Sequence, residues 1–396
     1  MFGLFILLSV ASAKVHHFYV GQIYSTAIHA LELDDELRTL YEMGIIPTTT
    51  ASSSLAIDHS GKLLFASSQN DGALAKYDIR SDYSLSNGVK TTIPASCNST
   101  AFSTLHITSS NQAPYSIYGS ASTGNCSVVF STSVLGFKSL RSKEFDGDIR
   151  SLAWSPNGRH LHALDSHTSA SAATSIFNFN INDDSSLNDL NQTDILANVT
   201  NAEQMVTHPT GNLVYVITKD TNELVTIPLQ CAGTSVSPSR FKILPASINP
   251  SLYTTLSLAI SSSKNSLWTL SQSPAQVVVT VFSLDPTTGA VIGAVARAGW
   301  TGDGAYSPAH ISPAPFVGND IVAITNSPVG YTAFIGLDQG TTAKGETGDI
   351  KVAGDEFLEE GWMLNVKSDA VMAPKLKSFG RIGLAFDSLG EGVWAD

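Results

Sequence analysis

The stretch Gln204–Asp220, QMVTHPTGNLVYVITKD, decides how the chain is read. His208 stands beside Pro209 and two residues before Thr-Gly, just ahead of the apolar run Leu213–Ile217. A histidine in that setting is either a site residue or a turn residue between two strands. The choice depends on whether the pattern recurs, and it does. AIDHSGKLLFASSQ starts at Ala56, AWSPNGRHLHALDS at Ala153, VTHPTGNLVYVITK at Val206 and AISSSKNSLWTLSQ at Ala259. AFDSLGEGVWAD closes the chain. Each reads as a short strand, a polar turn with Gly or a small polar residue, and a second strand with a large side chain at a fixed offset. Those side chains are Phe65, His162, Tyr215, Trp268 and Trp394. His208 is therefore a turn residue, in the slot held by His59 and Ser155 elsewhere.

Weaker copies, ITSSNQAPYSIYGS and ISPAPFVGNDIVAITN, place turns near residues 61, 112, 158, 211, 264, 318 and 390, mostly about 50 residues apart. A four-stranded antiparallel sheet with tight turns needs about that length, and periods of this size in an all-β chain select a propeller. The expected fold is an all-β, seven-bladed β-propeller of four-stranded antiparallel blades. The N-terminal HHFYVGQIYSTAIHALELDDEL has strand character but no preceding turn unit, so it is expected to supply closing strands to the blade begun near Trp394. Residues 14–396 then form a single propeller domain. The long last interval holds GTTAKGETGDIKVAGDEFLEEG, a polar and acidic stretch read as a loop insertion at about 340–362.

The N-terminus, MFGLFILLSVASAKV, carries an apolar run too short to span a bilayer, followed by the small-x-small pattern Ala11-Ser12-Ala13. Residues 1–13 are read as a secretory signal peptide, although no basic residue precedes the run, and the protein as extracellular. In that compartment Asn98, Asn125, Asn191 and Asn198 are sequon asparagines open to glycosylation. Of three cysteines, Cys97 and Cys126 are the expected disulfide and Cys231 is left over; three buried thiols are the alternative.

Charged residues make up only 14% of the chain, against about 25% in ordinary soluble proteins. The net charge of −12 argues against nucleic acid and against an anionic membrane surface. No G-x-S-x-G, H-E-x-x-H, Walker loop or Rossmann fingerprint is present. The densest histidine cluster is RHLHALDSH. His160 and His162 alternate onto one strand face, as metal ligands would. But His162 fills the slot of Phe65, Tyr215 and Trp268, which favours a packed role, and no metal site is expected. His106 in STLHITSS and His310 in SPAHISPAP begin inner strands and are candidates to face the channel; a satisfied structural histidine is the plainer reading of each. Arg381 is a further channel candidate. Gln69, Ser166, Lys219 and Gln272 each end the second strand of a blade, where side chains can vary around one opening.

HHFYVG, APYSIYGS, HPTGNLVYV and SFGRIGLAFD, in that order, resemble the fungal carboxy-cis,cis-muconate cyclases and the related 6-phosphogluconolactonase-like propellers, over nearly the whole of residues 14–396. The resemblance implies a cofactor-free intramolecular lyase that closes a lactone on a polyanionic acid. It also implies a channel ring of a histidine, two arginines and a glutamate that binds carboxylates and delivers a proton. This chain departs at all four positions, with Arg150 for the histidine, Glu203 for the first arginine, Lys219 for the glutamate and Gln272 for the second arginine. Glu203 and Lys219 thus exchange the signs of the family's pair. On this reading Arg150 binds an anion, Lys219 binds an anion or acts as acid, and Glu203 is a base or ion-pair partner. The alternatives are an extracellular lactone hydrolase and a non-catalytic binding scaffold. The ligand implied is a small carboxylate or lactone.

Overall fold

The computed structural model describes residues 14–93, 102, 104–112, 115–122, 126–133, 136–144, 148–167, 174–181, 187–196, 199–229, 238–274, 276–301, 309–316, 318, 320–325, 331–338, 375–384 and 388–396. They form seven antiparallel sheets of four strands. Blade 1 runs outward as Leu389–Trp394, Val15–Gln22, Ala27–Asp34 and Thr39–Pro47. Blades 2 to 7 follow in chain order. Their innermost strands are Ser54–Ile57, Thr104–Ser109, Asp148–Trp154, Ala202–Thr207, Thr254–Ile260 and His310–Pro313. Each innermost strand touches the two flanking it, and the strand ending at Trp394 contacts those of blades 2 and 7, so the ring is closed. This is the expected seven-bladed propeller, fastened by the N-terminal strands.

The repeat side chains carry the packing between blades. Phe65 pairs with Ala56, His162 with Ala153, Tyr215 with Val206 and Trp268 with Ala259, one register in four blades. All four large side chains are buried. His162 is thus a packed residue, its Nδ1 2.5 Å from Asn178 Oδ1. His208 closes a turn: its N–H donates to the Leu213 carbonyl, and the Gly211 N–H donates to the carbonyl of His208; the same bonds in blade 2 are made by Asp58, so Asp58 and not the neighbouring His59 holds that slot. Gly211 has φ +80°, the left-handed conformation that glycine adopts without a Cβ penalty.

The last repeat differs from its expected form. Leu389–Trp394 is one continuous innermost strand with no turn near residue 390, and Trp394 lies on it rather than on a second strand. The second strand of that blade is Val15–Gln22, from the other end of the chain. The glycines that look like turn signals are there for space. A Cβ at Gly390 would lie 2.5 Å from the Ser52 carbonyl oxygen, and one at Gly392 would lie 2.0 Å from the Phe18 ring.

The expected processing and modification features need only placement. Residues 1–13, the insertion at 340–362, Cys97, Cys231, Asn98, Asn125 and Asn198 lie outside the described residues, as do the side chains of Cys126 and Asn191. No helix among the described residues is long and apolar enough to cross a membrane.

Candidate functional site

Each innermost strand ends at a residue whose N–H bonds back to the second strand: Asp58, Ser110, Ser155, His208, Ser261, Ala314 and, in blade 1, Ala395, which donates to the His17 carbonyl. Four residues before each of these stands one position of a sevenfold ring. Its members are Ser54, His106, Ser151, Gln204, Ser257, His310 and Glu391. Four of the seven stitch one blade to the next by accepting a backbone N–H. Ile107 N–H reaches Ser54 Oγ at 3.5 Å, Met205 N–H Ser151 Oγ at 3.1 Å, Leu258 N–H Gln204 Oε1 at 2.6 Å and Ile311 N–H Ser257 Oγ at 3.0 Å. The other three are ionisable and turn toward one another.

Glu391 is the centre of that group. Its Oε1 lies 3.3 Å from His106 Nδ1 and 3.5 Å from His310 Nδ1, and its Oε2 accepts from Ser54 Oγ at 2.5 Å. The inner strands wall the group on all sides, yet His106 and His310 keep 33% and 16% of their side-chain exposure, so a ligand in the channel can reach both.

The charges follow from this geometry. Burial alone would raise the Glu391 carboxyl, but the hydrogen bond and charge of His106, the charge of His310 and the Ser54 hydroxyl outweigh it and bring the pKa to about 2. Burial alone would lower His106, but its hydrogen bond to Glu391 and the charges of Glu391 and Glu203 raise it. His310 goes the other way. Burial lowers it, and the neighbouring His106 adds to that, against the pull of Glu391 and Glu203. One carboxylate supports one imidazolium, and a second would be repelled by the first. An ionised Glu391 only accepts, so a protonated His106 donates to it through Nδ1 and keeps a second N–H at Nε2. His310 Nδ1, 3.5 Å from the same oxygen, meets it as a charge, and a neutral His310 has one ring nitrogen with a lone pair.

A second charged group sits one residue step along the strands. Arg150 and Glu203 each precede a ring position, and each is skipped by the strand register: Ile149 pairs with Asp165 and Ser151 with Leu164, while Ala202 pairs with Thr218 and Gln204 with Ile217. In a regular strand, successive side chains face opposite sides. A bulge breaks that rule and re-aims a side chain. Arg150 Nη2 lies 2.9 Å from Asp148 Oδ2, and Nη1 lies 3.9 Å from Glu203 Oε2. Lys219 Nζ approaches the same Glu203 oxygen to 3.9 Å. The structure thus brings together Arg150, Glu203 and Lys219, and joins His106 and His310 through Glu391.

Two sequence candidates lie elsewhere. Gln272 is buried, and its Oε1 accepts the Ala309 N–H at 3.1 Å, so it links blade 6 to blade 7 beside His310. Arg381 is exposed on Lys375–Gly383, the outermost strand of blade 7, with its guanidinium 5.6 Å from the Tyr331 ring centre. It is therefore not a channel residue. Its segment is a strand of the right type, but the chain passes through the inner position of blade 7 much earlier, at His310. Glu391 was missed because the last repeat was expected to turn where it runs straight.

Glu391 also borders a cavity of about 330 Å³ lined by Gln204, Ser257, Ile311, Ser312 and Trp394; His106, His310, Arg150, Glu203 and Lys219 are not part of its lining. That volume suits a small molecule. Among the described residues, no group of three or more His, Cys, Asp or Glu is arranged to hold a metal ion.

No protein-family model matches the sequence, and no curated protein matches it. Solved structures do. PpgL, a periplasmic gluconolactonase of Pseudomonas aeruginosa, superposes with a TM-score of 0.66 over 96% of this chain and 99% of that one, at 13% identity. A Bacteroides fragilis protein provisionally described as a 6-phosphogluconolactonase gives 0.63 over 93% and 99%, at 16% identity. A Bacteroides uniformis protein with the same provisional description gives 0.60 over 82% and 93%, at 15% identity. The structural neighbours are 6-phosphogluconolactonase-like propellers. At these identities the likeness is one of fold, and it does not reach the narrower resemblance to muconate cyclases.

Proposed function

We propose that the protein hydrolyses a small, uncharged lactone in its central channel. The observation that carries this reading is the pair of imidazoles on one carboxylate, His106 and His310 on Glu391 Oε1, with opposite displacements of their pKa values. A general acid and a general base are thereby available at one pH. The lone-pair nitrogen of the His310 ring takes a proton from water as the water oxygen bonds to the lactone carbonyl carbon. The ring C–O bond then breaks, and His106 Nε2–H protonates the departing ring oxygen. The product is a hydroxy acid, and the proton now on His310 is lost to solvent as His106 is reprotonated.

Lactone closure on a conjugated polycarboxylate is a different step, in which a carboxylate oxygen adds across a carbon–carbon double bond and an acid delivers a proton to carbon. It would also need cations free to hold carboxylates. Arg150 is paired with Asp148 and Glu203, and Lys219 with Glu203, while Glu391 is an anion in the same channel. That balance favours a neutral ligand over the polyanion of the muconate cyclases. An acidic protein carrying the apolar segment 1–13 would do this work outside the cell.

The test is proton release in a pH-stat from a panel of γ- and δ-lactones. The expected result is opening of at least one lactone well above its spontaneous rate. Its kcat/KM should rise as pH climbs through the His310 value, below about 6.5, and fall as His106 deprotonates above about 6.5. Binding without turnover across the panel would mean a scaffold and would overturn the catalytic reading.

A further inference from the structure

The cavity beside Glu391 opens at the level of the sevenfold residue ring, because Gln204, Ser257 and Glu391 in its lining are ring members. Away from that level its polar atoms are held within the protein. Ser312 Oγ–H donates to the Gly392 carbonyl at 2.7 Å, and the Trp394 indole N–H donates to the Ser312 carbonyl at 3.1 Å. The Asp396 carboxylate takes His16 Nδ1 and the His17 N–H. At the ring level, Gln204 Oε1 and Ser257 Oγ accept the Leu258 and Ile311 N–H groups. Ile311, Pro313, Pro315, Val393 and Trp394 supply most of the remaining wall. The space therefore offers a ligand donors at the ring level, from the Gln204 amide and the Ser257 hydroxyl, and apolar contact beyond it.

Val393 and Trp394 follow Glu391 by two and three residues on one inner strand. Ile311 and Pro313 follow His310 by one and three residues on the strand beside it. At about 3.3 Å per residue, the apolar wall runs for about 10 Å from the level of the imidazoles. An alkyl chain lying along it removes apolar surface from water, which is favourable. A hydroxylated chain would give up its hydration for carbonyls and carboxylates that already have donors. An anionic chain would meet two carboxylates, Glu391 and Asp396, in the same lining. We infer that this cavity is a subsite for an alkyl substituent, and that the lactone opened at His106 and His310 carries a linear alkyl chain extending toward Trp394. This rests on the lactone-opening reading and adds the substrate class.

The experiment measures kcat/KM of the full chain for δ-valerolactone, δ-octalactone, δ-decalactone and δ-dodecalactone, which carry no chain and then propyl, pentyl and heptyl chains. Each buried methylene is expected to raise kcat/KM about three- to fourfold until the cavity is full, so the preferred lactone should exceed δ-valerolactone by at least about tenfold. Val393→Phe, which narrows the space, should cut that gain to within about threefold, and Val393→Ala, which widens it, should move the preference to a longer chain. Both variants should open δ-valerolactone within about threefold of the unaltered rate, which separates an altered subsite from a damaged fold. Equal kcat/KM along the series, or a gain that survives Val393→Phe with no shift in Val393→Ala, would overturn the subsite. Should Val393→Phe fail to fold, the shift in Val393→Ala decides alone. If no lactone is opened at all, the hydrolase reading fails while the subsite is still decided by calorimetry with δ-valerolactam and its pentyl derivative. Tighter binding of the pentyl lactam, lost in Val393→Phe, supports it; equal or undetectable binding of both overturns it.

Discussion

Glu391→Gln is expected to lower kcat/KM for lactone opening by roughly 10²- to 10⁴-fold, the range that general acid–base catalysis contributes. The amide keeps the size of the side chain but carries no charge. Burial then lowers His106 with only the charge of Glu203 to oppose it, so its pKa falls toward the lowered range of His310. The amide also has one acceptor oxygen and one NH₂ where the carboxylate offered two acceptors, to His106 and His310 on one oxygen and to Ser54 on the other. Less of the acid is then protonated at neutral pH, and both imidazoles lose their shared carboxylate. Circular dichroism establishes that the variant is folded, and the pH profile separates mechanism from damage. The alkaline limb set by His106 should move to lower pH, whereas simple unfolding would scale the whole profile. A rate within threefold of the unaltered protein would show that Glu391 does not organise the chemistry.

The second large effect concerns the ring itself. Trp394→Ala is expected to destabilise the protein by about 3–5 kcal/mol, the usual cost of emptying a large buried aromatic site. Trp394 is 7% exposed and packs with ring centres 5.0 Å from Phe18, 5.3 Å from Phe334 and 5.3 Å from Phe316. Its indole N–H donates to the Ser312 carbonyl at 3.1 Å, so one side chain ties blade 7 to both chain ends of blade 1. Around it, Ala395 N–H donates to the His17 carbonyl and the Asp396 carboxylate takes His16 Nδ1 and the His17 N–H. Described sheets 2 to 7 are continuous in the chain, whereas blade 1 is joined across its termini, which makes it the place where the ring opens. Urea unfolding measures the loss. A change under about 1 kcal/mol would place the closing energy elsewhere.

The fold was legible because its signal is repeated. A turn, a strand and a large side chain at one offset specify a blade, and the shared pairing of Phe65, His162, Tyr215 and Trp268 with Ala56, Ala153, Val206 and Ala259 bears this out. Arg150 and Glu203 were legible only through the family resemblance, and Lys219 also through its place eight residues after the turn glycine Gly211. Glu391 was not, for a steric reason. Gly390 and Gly392 admit the Ser52 and Ser53 backbone and the Phe18 ring, and in a sequence such glycines look the same as turn glycines. The bulges at Arg150 and Glu203 were also hidden, since register belongs to the partner strand as much as to the residue itself. Arg381 failed as a channel candidate because inner and outer strands of a blade share one composition.

The most direct test of the central claim is a titration of the imidazoles by nuclear magnetic resonance. The chain has 10 histidines, and His106→Gln and His310→Gln assign the two that matter. His106 is predicted to titrate above about 6.5 and His310 below it, with the His106 value falling in Glu391→Gln. Two ordinary titrations near 6.5, unmoved by Glu391→Gln, would contradict the account.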